Sequence, residues 1–273
     1  MNFESISRKF RQLGARVKFR PLLSKRWVNL AGKVQIDIAR DQRGEFFDVR
    51  LAGDADLLVL DVQPSDRHLL LMSREPAPRR GMPDLKDKFL CGHDERHWFV
   101  AGVPESTPVS SVVTAKEALK PRLIRDLEAG LRGKLKNRQG RKTETFLRQG
   151  EWFFIPAPAI VFPDHHVLRD EPLRRGRGKP HHCQFLYRLG GTAVYFNHQF
   201  PNGLTEAERA TLFATNPAAV RWQWRSMRRD PQVFVRGQVR HADHATITLD
   251  LWHRVLLNSE AESRAQASVA FLD

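Results

Sequence analysis

Four apolar segments follow one another between Val34 and Ser73, and they commit the chain to a fold built on antiparallel sheet. Val34–Ala39 and Phe46–Leu51 alternate apolar and polar residues on either side of the turn Asp41-Gln-Arg-Gly44. Side chains on a strand point to opposite faces in turn, so such alternation marks a half-buried strand. Leu57–Gln63 and His68–Ser73 are near-continuous apolar runs separated by Pro64-Ser65-Asp66. Short strands with turn signals at close spacing read as a meander. The runs LLVLDV and HLLLM predict burial on both faces, so something must pack over each side of that sheet.

The remaining pattern is mixed. Phe3, Ile6, Phe10, Leu13 and Val17 recur at helical spacing, with Arg8, Lys9, Arg11 and Arg16 opposite. Ser110 or Ser111 can cap a helix through Leu119, and Pro121 interrupts or restarts it toward Leu131. Thr205, followed by Glu206 and Glu208 and closed by Pro217, frames another helix over Leu204–Asn216. Strands are expected at Gly150–Ile155 and in two further hairpins. One joins Gln184–Leu189 to Ala193–Asn197 around Gly190-Gly191. The other joins Val233–Val239 to Thr246–Trp252 over Arg240–His244. Glu260–Asp273 is polar and is expected to fray. The fold class is α+β, with largely antiparallel sheets and a few helices, open to division into two sub-domains. The expected organisation is a basic N-terminal helix or arm (1–30), a first α+β half (31–131), a basic linker loop (132–149) and a second α+β half (150–273).

Charge is the strongest global constraint on partners. Lys and Arg total 45 against 31 Asp and Glu, a formal net charge of +14. Such an excess favours polyanions through phosphate contacts and counterion release. Nucleic acid is the expected partner, with protein partners also open. No apolar run is long enough for a membrane helix, so no integral membrane association is expected. The N-terminal stretch lacks the apolar region of a secretory signal, and two distant cysteines make no disulfide framework. These features point to a cytoplasmic setting. There is no Walker loop, dinucleotide glycine fingerprint, G-x-S-x-G elbow or set of C-x-x-C pairs, which argues against nucleotide-driven motors, Rossmann redox enzymes, α/β-hydrolases and zinc fingers.

Chemistry-bearing residues are densest in Lys88–Val103, KFLCGHDERHWFVAGV. A hairpin about Gly92–Arg96 would set Cys91 and His97 beside the turn and His93 at its tip. Cys91, His93 and His97 are therefore candidate metal ligands, since a thiolate and two imidazoles suit zinc and leave a position for water. On a helix, His-Asp-Glu-Arg-His would approach the H-E-x-x-H zinc motif, with Asp94 at the general-base position but one methylene short. His93, His97 and Asp94 are the candidate catalytic acid–base groups. The plain alternative is a polar hairpin tip beside a core thiol. A divalent metal, Zn or Mg, is the candidate cofactor, and Asp48 or Asp61 on the sheet are further candidates to hold it.

A second cluster lies in Pro163–Cys183, with His165, His166, His181, His182 and Cys183. Its spacing matches no zinc motif, and a phosphate-binding loop is preferred there. Two acid-poor stretches are candidate nucleic-acid contacts: Arg132, Lys134, Lys136, Arg138, Arg141 and Lys142, and then Arg174, Arg175, Arg177 and Lys179. Trp152 and Phe154 could stack on unpaired bases, although such strand aromatics are more often core, and Trp222 and Trp224 among arginines could stack on bases or equally be buried. The leading expectation is a nucleic-acid-binding protein, for RNA or a single strand, as a subunit of a ribonucleoprotein or a mobile-element or defence machine. The alternatives are a metal- or histidine-dependent nuclease or other phosphoryl-transfer enzyme, and a non-catalytic partner-binding protein.

Overall fold

A computed structural model of the chain describes residues 2–22, 34–52, 55–77, 81–131, 137–175 and 179–264. The architecture is α+β with predominantly antiparallel sheets. Helix α1 (Phe3–Gln12) starts where the Asn2 side chain accepts the Ser5 N–H, and it buries Ile6 and Phe10. The chain then enters strand β1 (Val17–Pro21), which pairs in parallel with β3 (Gly44–Leu51). Strand β2 (Val34–Asp41) flanks β3 on its other side. Residues 17–21, expected to belong to a basic arm, are therefore part of a sheet. Their cations are satisfied internally: Arg16 and Lys18 both reach Asp41, and Arg20 and Arg50 hold the buried Asp48. The rest of that arm, 23–30, lies outside the described residues.

Strands β4 (Asp56–Gln63), β5 (His68–Glu75), β6 (Leu85–Asp94) and β7 (His97–Val103) form the expected meander in sequence order. Its two faces are buried by different elements, as the continuous apolar runs required. Leu69, Leu71, Phe89, Cys91 and Val100 pack with Ile6, Phe10, Ile36, Phe47 and Val49 from α1 and the first sheet. Leu70, Leu90, Ala101 and Val103 pack instead against Val112, Ala115 and Ala118 of helix α2 (Val112–Ala118). Each Val, Leu, Ile or Phe side chain among them removed from water contributes about 1.5–3 kcal/mol. Edge strand β4 is less covered, and Leu58 stays exposed. Asp61, a candidate metal holder, instead accepts the Val112 N–H at 2.7 Å, beside the capping box of Ser111 and Thr114.

Pro121 separates α2 from α3 (Arg122–Gly130). The chain then forms β8 (Leu147–Gln149) and β9 (Trp152–Pro156), which join a six-stranded sheet ordered β10-β11-β14-β15-β9-β8. Its other members are β10 (Leu168–Leu173), β11 (His181–Leu189), β14 (Gln232–Arg240) and β15 (Ile247–Leu257). The aromatics of β9 are core on both faces. Trp152 and Phe154 join Leu186, Val235 and Leu249, while Phe153 and Ile155 pack with Phe146 and Ile124 of α3. They are not available to stack on bases.

Two sequence expectations change here. Gln184–Leu189 does not pair with the next strand: β11 lies between β10 and β14, while β12 (Thr192–Phe196) pairs with β13 (Arg225–Arg229) in a separate ribbon. Gly190 and Gly191 both adopt positive φ, and they redirect the chain out of the sheet instead of closing a hairpin. Helix α4 (Glu206–Thr215) sits between the ribbon's strands in sequence, with Thr205 and Glu208 forming its capping box. The second change is the C-terminal segment. Glu260 and Ser263, expected to fray, are buried, as is Ser259 before them: Glu260 pairs with Arg175, and the two serine hydroxyls donate to Ala118 and Val103. Among the described residues no helix is long and apolar enough to cross a membrane.

Candidate functional site

The two histidine-bearing hairpin tips meet. Strands β6 and β7 pair Cys91 with Val100, His93 with Trp98 and Asp94 with His97, so Glu95 and Arg96 alone make the turn. Glu95 takes the left-handed conformation there, at φ 46°. Its carboxylate accepts the Ala245 N–H at 2.7 Å, and the Arg96 guanidinium donates to the Ala242 carbonyl at 3.4 Å. Ala242 and Ala245 belong to the turn between β14 and β15. Arg141 ion-pairs with both Asp94 and Glu95 and fixes this contact from a third segment.

This register does not bring the expected ligands Cys91, His93 and His97 together. His93 and His97 stand on adjacent cross-strand pairs and line one cleft, but among the described residues they form no ligand group with Cys91. Cys91 is wholly buried in the apolar core, and burial pushes its thiol well above the usual range. His93 packs edge-on against Trp98, and burial, then the nearby Arg67, lowers its basicity. His97 contacts Glu45 through Nδ1 at 2.6 Å, and its Nε2 lies 3.6 Å from Asp243. Asp94 is engaged by Arg141. The three candidate acid–base groups therefore sit at one hairpin tip, but each has a separate partner.

Around that tip is a cleft of about 440 Å³. Arg16, Arg40, Arg43 and Arg96 line it with His93, His97, Trp98 and Glu45. Arg16 is held by Asp41, whose carboxyl this pairing keeps well below the usual carboxylate range. Arg40, Arg43 and Arg96 are exposed. Among the described residues, Arg40 and Arg43 have no acidic side-chain partner. The cleft is thus lined by four arginines and one carboxylate, Glu45, already taken by His97 and the Trp98 N–H.

On the other side of the tip contact lie three imidazoles. Strand β11 pairs His182 with Arg240 of β14, so the next register position sets His181 beside His241. Their rings stack at 4.2 Å between centroids, and His244, at the far end of the turn, stacks at 4.7 Å on His241. One nitrogen from each ring lies within 4.8 Å of the others. His181 is 2% exposed, and neither of its ring nitrogens has a hydrogen-bond partner. Burial, with the two neighbouring imidazoles, pushes His181 down to about 3. His241 is also lowered, first by burial and then by His244. Sequence reasoning noted both segments but did not join them, because their proximity depends on a cross-strand register between residues sixty apart. The signal available was a histidine at each end of a strand pair.

The predicted phosphate contacts divide into three groups. Arg132, Lys134, Lys136 and Arg177 lie outside the described residues. Arg138 pairs with Glu128, Arg141 with Asp94 and Glu95, Arg175 with Glu260, and Lys179 with Asp243. Arg174 and Lys142 are exposed. His165 and His166 form an exposed pair on a short turn, away from His181, and Cys183 is core. Trp222 and Trp224 are partly buried and stack with Phe200. Comparison of the chain with protein-family models, with curated proteins and with solved structures returned no match.

Proposed function

We propose that the chain is a nucleic-acid-binding protein that takes the phosphate backbone of a single strand into the cleft at the β6–β7 tip. The observation that carries this reading is that Arg16, Arg40, Arg43 and Arg96 line one concavity, within a chain of net charge +14. Guanidinium groups offer paired donors in a fork that matches phosphate oxygens. Arg40 and Arg43 require no internal ion pair to be broken before they engage. Binding through them would release counterions, so affinity would fall steeply with salt. Four of the six described basic residues picked out by sequence pattern, Arg138, Arg141, Arg175 and Lys179, are already paired with carboxylates, which shifts the favoured contact surface toward this cleft.

The test is anisotropy titration of the purified chain with single-stranded RNA, single-stranded DNA and duplex DNA across a salt series. Binding to a single strand is expected, with affinity falling linearly on logarithmic axes. Replacing Arg40, Arg43 and Arg96 with Ala together should reduce the slope by about 2–3. An unchanged slope in the triple variant, or no binding of any of the three at low salt, would overturn the reading.

A further inference from the structure

We propose that His181, His241 and His244 form a binding site for a divalent transition metal of the zinc type. The proposal rests on the histidine cluster alone and is independent of the nucleic-acid reading. With metal–nitrogen bonds of about 2.0–2.1 Å, two ligands on one ion stand roughly 3.3 Å apart in a tetrahedron. The three nitrogens lie within 4.8 Å of one another, so a small contraction brings them to ligand distance. A metal also answers an unmet demand. Both nitrogens of the buried His181 lack partners, and buried polar atoms are rarely left so.

The surroundings supply the support that metal-bound imidazoles need. His244 Nδ1 faces a Glu95 oxygen at 3.6 Å, and that carboxylate is fixed by the Ala245 N–H and by Arg141. A histidine that gives one nitrogen to a metal commonly directs the other to a carboxylate. Gly150 leaves the space open: a β-carbon there would stand 3.0 Å from His244 Nε2 and 3.8 Å from His181 Nε2. His241 is the ligand that must adjust. Its Nδ1 accepts the Asp243 N–H at 3.1 Å, so either Nε2 turns to the metal or this hydrogen bond is given up. An all-imidazole set suits Zn²⁺, Co²⁺, Ni²⁺ or Cu²⁺ and not Mg²⁺, which takes oxygen ligands. Three protein ligands leave a fourth position for water.

The experiment uses the untagged full-length chain, stripped with chelator and titrated with Co²⁺ while its visible absorption is followed. One Co²⁺ per chain is expected, displaced by Zn²⁺ and not by a large excess of Mg²⁺. His241→Gln and His244→Gln should each weaken Co²⁺ binding at least tenfold. Both residues lie in a turn, and circular dichroism will show whether each variant is folded. Glu95→Gln should weaken binding by about tenfold or more while leaving all three ligands in place. A double replacement of His165 and His166 by Gln should change nothing. The proposal fails if binding does not saturate, or if folded His244→Gln binds Co²⁺ as tightly as the parent chain.

Discussion

At the scale of single residues, the buried charges are where substitutions will be felt most. Lys120 and Glu128 are 3% and 2% exposed, and they meet at 2.8 Å between α2 and α3. Glu117 and Arg138 complete the group. Removing Lys120 leaves the buried Glu128 with only the more exposed Arg138 to balance its charge. Lys120→Met is therefore expected to cost about 3–5 kcal/mol in denaturant unfolding. Replacing Glu128 by Leu in the same chain should recover most of the loss, because the uncompensated charge is then gone. His68 supplies the pH dependence. Burial, then the nearby Lys116 cation, pushes its imidazole down to about 4, and its ring sits edge-on to Phe99. The folded ring stays neutral as pH falls from about 6.5, while the unfolded chain takes up a proton. Stability should thus decline between about pH 6.5 and 4 and gain no further loss from this group below that. Melting curves of the parent and His68→Gln across this window check it: the variant should lose less stability, and parallel declines would refute the assignment.

At the scale of elements, the turn at Gly190-Gly191 decides where a strand goes. A β-carbon on Gly191 would stand 2.8 Å from the Arg229 carbonyl oxygen, at a φ of +82° that side chains disfavour. Gly191→Ala is expected to cost about 1–3 kcal/mol. Hydrogen exchange should show the loss first in the β12–β13 ribbon, and uniform protection across the ribbon would count against it. This same turn shows the limit of local reading. Two glycines between alternating strands signal a hairpin, and the sequence carries no local mark that β11 instead pairs with β10 and β14. Strands β2 to β7 and the pair β14–β15 were legible because each is flanked by its partner, with alternation and turn residues in agreement. The caps at Ser111 and Thr205 were legible for the same reason, since a capping box is complete within four residues. The parallel pairing of β1 with β3 was not, because its partner lies thirty residues away. The candidate sites divide likewise. The tip at Asp94–His97 stands out in sequence, but the imidazole cluster requires the β11–β14 register, and the arginine cleft requires two separate sheets to meet. Ion pairing hides a further part: Arg138, Arg141 and Lys179 look like free cations in sequence and are held by carboxylates in the fold.

At the scale of the whole molecule, the chain up to α3 and the chain from β9 onward share the core of Ile124, Phe153, Ile155 and Leu256, and they are joined at two further places. One is the meeting of hairpin tips, where Glu95 and Arg96 bond the β14–β15 turn. The arginine cleft and the three imidazoles lie on either side of it, with His97 lining the cleft and also facing Asp243. The other is the segment after β15. Ser259 donates from its backbone to Leu119 and from its hydroxyl to Ala118, and the Ser263 hydroxyl donates to Val103. Arg264 then pairs with the buried Asp87 at 2.6 Å. All of these partners belong to the first half, so the end of the second half acts as a clasp. Each neutral hydrogen bond is worth about 0.5–1.5 kcal/mol, and loss of Arg264 leaves Asp87 buried with its charge exposed to no partner of equal strength. The full chain is expected to unfold in a single calorimetric transition, with the halves coupled through both contacts. A chain truncated after Asn258 should lose that coupling: the transition should split in two, with the lower one belonging to the meander that carried the clasp. Amide exchange in β6 and β7 would rise with it, and the hairpin tip would lose the frame that holds Glu95 against Ala245. A truncated chain that melts in one transition at the parent temperature would mean that the tip contact and the core around Ile124 couple the halves without the clasp.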